Sequence, residues 1–164
     1  TKEIRNDVIT GAQMNRLLQG DVGSGKTIVA VLAILIALDN GYQTTMIAPT
    51  EILATQHYNA VCELLQEMPI TVKLLTGSVK TAKRRIIHEM LESGELNILI
   101  GTHAVFEDKV QFNNLGLAII DEQHRFGVAQ RAKMWKKGSP PIIPPKGRVQ
   151  EIHHKYQTAR PSTY

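Results

Sequence analysis

The sequence predicts an α/β protein in which a parallel β-sheet lies between two layers of helices. Segments with strand propensity alternate with segments of helical periodicity along the chain. Several strand segments, such as 97–101 and 115–120, are apolar throughout, as strands are when helices cover both faces of the sheet. A glycine-rich phosphate-binding motif between the first predicted strand and the first long helix is also typical of this architecture.

The elements follow from local signals in chain order. A helix over 2–8 and a strand over 14–19 are predicted before the phosphate-binding motif. After it come a helix over 28–39, a strand over 43–48, a helix over 51–67, a strand over 70–75, a basic helix over 80–92, a strand over 97–101, a short helix over 102–106 and a strand over 115–120. Thr50 is placed to cap the helix over 51–67. Four prolines in 139–145 exclude a helix, so we predict one domain over 1–138 and a Pro-rich basic linker or tail over 139–164.

The phosphate-binding motif has the complete form G-x-x-x-x-G-K-[ST]. It consists of Gly20, Asp21, Val22, Gly23, Ser24, Gly25, Lys26 and Thr27. Gly20 and Gly25 permit close backbone approach, so the N–H groups of the loop can point at phosphate oxygens. Lys26 is expected to reach the β- and γ-phosphates and the Thr27 hydroxyl to bind Mg²⁺. The motif predicts a nucleoside triphosphate site.

A second motif, Asp121-Glu122-Gln123-His124, follows an apolar strand. Ligands of α/β sheets bind at the carboxyl ends of strands, so Asp121 is expected to hold Mg²⁺ opposite Thr27. Glu122 is expected to orient the attacking water and accept its proton. Gln123 and His124 are placed to sense the γ-phosphate. The alternative for the acidic pair is an ordinary helix N-cap, whereas the catalytic interpretation makes hydrolysis the fate of the nucleotide.

Together the two motifs resemble the first motor domain of superfamily 2 helicases of the DExH type. Stretches 17–27, 48–57, 101–104 and 119–128 are similar to the RecG family, and the resemblance covers residues 14–138. It implies a RecA-like P-loop NTPase domain that uses ATP and Mg²⁺, with Lys26, Asp121, Glu122 and His124 as catalytic residues. It also implies sequence-independent action on stalled replication forks and branched DNA. The transcription–repair coupling translocase, which usually has Glu in place of Gln123, and the primosomal helicase family remain alternatives.

The same resemblance implies that three turns face DNA. They are Pro49-Thr50-Glu51, Thr76-Gly77-Ser78 and Gly101-Thr102-His103. Each is a small, hydroxyl-bearing turn at a predicted helix start, where free N–H groups and a hydroxyl suit a phosphate. An ordinary N-cap is the alternative for each turn alone. The basic run over 80–88 is expected to be a solvated helix face.

Bulk properties set further bounds. The net charge of +4 permits an anionic partner. Cys62 is the only cysteine, which excludes an intrachain disulfide, and we expect an inert buried thiol. No apolar run is long enough to cross a bilayer and no leader is evident, so we expect a cytoplasmic protein without a membrane partner.

Several parts of the family pattern are missing. They are the upstream adenine-reading glutamine, the Ser/Thr-Ala-Thr motif after Trp135, the wedge domain and the second motor domain with its arginine finger. We therefore expect a fragment, or an incompletely recorded chain, that binds nucleotide but does not unwind DNA alone. A small-molecule P-loop kinase and a non-catalytic DNA- or partner-binding module are the competing functions.

Overall fold

The computed structural model describes residues 25–137. The predicted helix over 2–8, the strand over 14–19, loop residues 20–24 and the tail over 139–164 lie outside the described residues. The described elements are α1 (Gly25–Asp39), β1 (Gln43–Ile47), α2 (Glu51–Leu64), β2 (Val72–Leu75), α3 (Thr81–Ser93), β3 (Ile98–Gly101), β4 (Leu115–Ile120) and α4 (Val128–Lys136), with 3₁₀ turns at His103–Phe106 and Gln123–Arg125.

The four strands form one parallel sheet, as the sequence predicts, and their order is β2-β3-β1-β4. Ile47, the last residue of β1, pairs with Gly101 of β3 and Ile120 of β4, and Leu75 of β2 also pairs with Gly101. All four strands therefore end at one level. We call this side of the sheet the carboxyl edge.

Helices cover both faces of the sheet, which confirms the predicted three layers. Successive residues of β3 show the alternation, because Ile98 and Ile100 pack on one side and Leu99 on the other. The first core joins α1 and α2 to the sheet and includes Ile34, Val61, Ile98, Ile100 and Leu117. The second core joins α3, α4 and the turn at His103–Phe106 to the sheet and includes Ile87, Leu91, Leu99, Phe106 and Met134.

The observed boundaries differ from the predicted ones by a few residues. β4 matches its prediction, and the Thr50 hydroxyl caps α2 by accepting a hydrogen bond from the Leu53 N–H at 3.2 Å. Cys62 is half-buried, so the prediction of a buried thiol is wrong in degree. The cause is helical spacing, because Val61 faces the core and its neighbour falls on the flank of α2. Within residues 25–137, no helix is both long enough and apolar enough to cross a membrane.

One irregularity sets the register between β1 and β4. Gln43 pairs with Leu115 but Thr44 pairs with Leu117, so Gly116 is an extra residue in β4. A side chain at Gly116 would collide with the ring of Tyr42. The buried Gln43 amide donates to the carbonyls of Leu91 at 2.9 Å and Leu96 at 2.8 Å, and its oxygen accepts from the Asn114 N–H at 2.8 Å.

Candidate nucleotide and nucleic-acid site

Asp121 is held at the carboxyl edge by its backbone and by its side chain. Its N–H donates to the Ile47 carbonyl at 2.8 Å, which fixes the residue beside the end of β1. Its Oδ2 lies 2.9 Å from Nε2 of His57, which projects from α2. The two side chains are 38% and 23% exposed, so the pair is half-buried. The carboxylate therefore has one oxygen engaged by protein and stays open to solvent on another side.

His57 is a site residue that the sequence did not single out. It lies within the family-like stretch 48–57, but no local pattern connects it with a carboxylate 64 positions away. The predicted topology is the one signal that could have pointed to His57, because α2 begins at the same edge of the sheet at which β4 ends. α2 packs over β2 and β3, and His57 reaches from this helix to Asp121 at the end of β4.

The N-terminus of α1 reaches the same edge of the sheet. The helix packs against β1 and β4, and a short turn at Asn40–Tyr42 joins its last residue to the start of β1. Fifteen helical residues span about 22 Å and five strand residues about 17 Å, so α1 runs back the full length of β1. Gly25 to Thr27 thus lie at the level of Asp121. The first turn of α1 contains no acidic residue, so its positive end is uncompensated by its own side chains.

Glu122 has an unusual backbone conformation. Its φ of 46° and ψ of 54° are left-handed, and it is the only non-glycine residue with positive φ in the described part of the chain. This conformation costs on the order of 1–3 kcal/mol and is characteristic of functional sites. The side chain makes no capping hydrogen bond to the turn at Gln123–Arg125, contrary to the N-cap alternative. Its Oε2 lies 3.5 Å from Nε of Arg125, and both groups are substantially exposed.

The acidic motif suits Mg²⁺ rather than a metal with an all-protein cage. No group of three His, Cys, Asp or Glu side chains gathers between residues 25 and 137 in a way that would hold a metal. Mg²⁺ is commonly held by one or two protein oxygens together with substrate phosphates. Asp121 and the half-buried Thr27 fit that donor set. His124 is exposed and Gln123 half-buried, and neither side chain has a hydrogen-bond partner among the described residues.

Two of the three predicted DNA-facing turns are connected to each other. The Glu51 carboxylate accepts hydrogen bonds from the N–H and the hydroxyl of Ser78, each at 3.0 Å. The Ser78 hydroxyl holds the pKa of Glu51 below its ordinary value, and the Ser78 N–H adds to this effect. Thr76 Oγ1 lies 3.0 Å from the same hydroxyl. One acidic side chain thus fixes the turn after β2 against the start of α2.

Burial corrects part of the DNA-facing prediction. Thr76 is 3% exposed and Thr102 is 1% exposed, so neither hydroxyl is available to a phosphate in this conformation. Gly101 is also buried, and a Cβ there would collide with the Leu75 carbonyl oxygen. The N–H of Ser78 is already bound by Glu51, and α3 begins at Thr81 rather than at this turn. The exposed members of the three turns are Thr50, Glu51, Gly77, Ser78 and His103, with Pro49 half-buried.

The basic run is not uniformly solvated, contrary to expectation. Arg84 donates from Nη1 to both carboxylate oxygens of Glu107 at 3.1 and 3.0 Å, and from Nη2 to the Thr76 carbonyl at 2.9 Å. Arg84 therefore connects the turn after β2 with Glu107. Burial lowers the pKa of His88, and the nearby Arg84 charge lowers it further. Lys80, Lys83 and Arg85 are exposed as predicted.

Comparison with known proteins gives the family of the chain. The family model for DEAD/DEAH box helicase matches residues 2–146. A relative from Synechocystis sp. named ATP-dependent DNA helicase RecG is 56% identical over 141 residues, which are 86% of this chain and 17% of the relative. The protein of the same name from Bacillus subtilis is 51% identical over 142 residues, 87% of this chain and 21% of that one.

A solved structure of RecG bound to a three-way DNA junction shares the fold, with a TM-score of 0.71 and 52% identity. The match covers 77% of this chain and 17% of that one. The chain thus spans about a fifth of the length of the curated relatives it matches. The predicted RecA-like fold and the resemblance to the first motor domain of RecG are confirmed. The chain belongs to the DEAD/DEAH box helicase family.

Proposed function

We propose that this chain is the ATP-binding motor domain of a RecG-like DNA helicase or translocase of the cytoplasm, which couples ATP hydrolysis to remodelling of stalled replication forks and branched DNA. The observation that carries the proposal is the shared carboxyl edge. The start of α1, Asp121 and the exposed parts of three polar turns all lie at this edge. A nucleotide and a DNA backbone would therefore meet the same set of strand ends.

In this proposal the residues of 20–27 bind the phosphates of ATP and Lys26 adds its charge at the β- and γ-phosphates. Thr27 and Asp121 hold Mg²⁺, which neutralises phosphate charge when bound. Glu122, whose carboxylate makes no capping bond, accepts the proton of the attacking water. His124 is exposed beside it and responds to the γ-phosphate.

We assign DNA contact to the exposed members of the three turns. Thr50, Gly77, Ser78 and His103 present small or hydrogen-bonding groups at the carboxyl edge, and Pro49 lies beside them. Such groups contact phosphates and sugars rather than base edges, so binding is independent of sequence and weakens with salt. The related RecG structure contains a three-way junction, which makes a junction the preferred ligand for the test.

The proposal is tested by measuring binding of a fluorescent ATP analogue and ATP hydrolysis with and without three-way junction DNA. We expect Mg²⁺-dependent nucleotide binding and slow, DNA-stimulated hydrolysis, because arginine fingers contribute about 10³–10⁵ in rate in related enzymes and the family carries its finger in the second motor domain. Lys26→Ala should abolish both activities, whereas Lys83→Ala on the exposed face of α3 should leave them unchanged. DNA binding without nucleotide affinity would instead indicate a non-catalytic module, and phosphorylation of a metabolite would refute the motor.

A further inference from the structure

We propose that His57 is the positioning residue of the Asp121 carboxylate, holding it in the orientation that receives Mg²⁺. The inference rests on the proposed function of Asp121. The hydrogen bond between His57 Nε2 and Asp121 Oδ2 is 2.9 Å long and connects α2 with the end of β4. It is the one side-chain hydrogen bond that the structure gives Asp121 among residues 25–137.

The chemistry of the pair defines which atom donates. An ionised carboxylate only accepts hydrogen bonds, so Nε2 of His57 must carry the proton and the ring presents it to Oδ2. Engaging Oδ2 leaves Oδ1 for the metal. A histidine that is hydrogen-bonded to a metal-binding carboxylate fixes the orientation of the carboxylate, as outer-shell partners of metal ligands generally do.

Both residues of this hydrogen bond have a backbone held in place by other contacts. Asp121 is anchored by its N–H to the Ile47 carbonyl, so only its side-chain torsions remain to be set. His57 lies in the middle of α2, whose start is capped by Thr50. Without His57, the half-exposed carboxylate would sample other rotamers and would lose the ordered conformation before metal binding.

The position of His57 on α2 also connects the two candidate sites. Glu51, six residues earlier and about 9 Å away along the helix axis, holds Ser78 of a DNA-facing turn. His57 holds Asp121 on the nucleotide side. The same rigid helix therefore contacts both sites, and His57 is its contact with the nucleotide side.

The test measures binding rather than turnover, because all the phosphate and Mg²⁺ ligands named in the proposal belong to this chain. We would titrate Mg²⁺ into the 164-residue chain with a fluorescent ADP analogue and repeat the binding in EDTA. His57→Ala should raise the Mg²⁺ concentration at half-saturation by about 10–100-fold, the usual effect of losing an outer-shell partner. Binding in EDTA should not change. His57→Gln, whose amide N–H reaches a similar position, should restore most of the Mg²⁺ dependence.

A matched control is Gln56→Ala, a neighbouring exposed position on the same helix, which should leave the Mg²⁺ titration unchanged. Thermal unfolding of each variant without ligand shows whether a loss of Mg²⁺ binding comes from a misplaced Asp121 carboxylate or from a less stable fold. An unchanged Mg²⁺ dependence in His57→Ala would overturn the inference while leaving the proposed function intact. An equal loss of binding with Mg²⁺ and in EDTA would also overturn it, since that result marks a structural role. A wild-type chain without Mg²⁺-dependent nucleotide binding would overturn both proposals.

Discussion

Replacing Gln43 by leucine removes a buried polar link between three parts of the chain while nearly preserving side-chain volume. The amide makes three hydrogen bonds, to Leu91, Leu96 and Asn114, and the residue is 5% exposed. At about 0.5–1.5 kcal/mol for each bond, the loss is about 1.5–4.5 kcal/mol, and more if the abandoned backbone groups stay buried. For a domain of this size we expect the Tm to fall by about 3–18 °C, at roughly 2–4 °C per kcal/mol.

The assay is thermal unfolding followed by circular dichroism, with Gln66→Leu as the control because that glutamine is exposed. A second measurement is nucleotide binding well below the Tm. Gln43 pairs where the register of β1 and β4 shifts, and this register places Asp121 beside Ile47. We therefore expect weaker Mg²⁺-dependent binding in Gln43→Leu as well. A Tm drop of less than about 2 °C, or one equal to that of the control, would refute the argument that these bonds hold the register.

The remaining predictions concern charge. Glu51→Gln removes a negative charge from the proposed DNA face but keeps an acceptor for Ser78, so we expect DNA binding to tighten a few-fold at low salt and less at high salt. Glu63→Gln on the same helix is the control, and weaker or unchanged binding by Glu51→Gln would contradict the assignment. Burial first, and then Arg84, lower the pKa of His88 below its ordinary value of 6.5, so the unfolded chain binds the proton more readily. Stability should consequently fall as the pH drops below about 6.5, and His88→Leu should show a smaller fall in Tm between pH 7.5 and 5.5; equal falls would show that another group is responsible.

Local sequence signals predicted the fold because they report on periodicity and on turn chemistry. The predicted bounds of the strand over 115–120 match the observed ones, since an uninterrupted run of apolar and glycine residues is a simple pattern. The cap at Thr50 was predicted for a similar reason, because the N-cap hydrogen bond joins residues three apart. The prediction that Asp121 lies at the end of a strand is confirmed by the register of the sheet.

The contacts that organise the carboxyl edge could not be predicted in this way. His57 and Asp121 are 64 residues apart, and Arg84 reaches Glu107 across 23 residues. Such pairings depend on the order of strands, which no local pattern specifies. The burial of Thr102 likewise depends on how closely β2 approaches β3 at Gly101. A threonine at a strand end has the same local signature whether its hydroxyl faces solvent or the interior.

The polar contacts of Glu51, Arg84 and His57 at the carboxyl edge orient side chains and turns more than they stabilise the fold. The Arg84–Glu107 pair has side chains that are 20% and 44% exposed, and pairs of this kind contribute about 0–1 kcal/mol. The two apolar cores, with many side chains fully buried, supply far more. Yet Glu51, Arg84 and His57 each connect elements that follow different strands, Arg84 through its contact with Glu107. If DNA displaces the turn at Ser78, the displacement acts on Glu51 and hence on α2, which also carries His57. Among the described residues, the contacts of Ser78 with Glu51 and of His57 with Asp121 thus connect the proposed DNA-facing turn with the proposed Mg²⁺ ligand through α2.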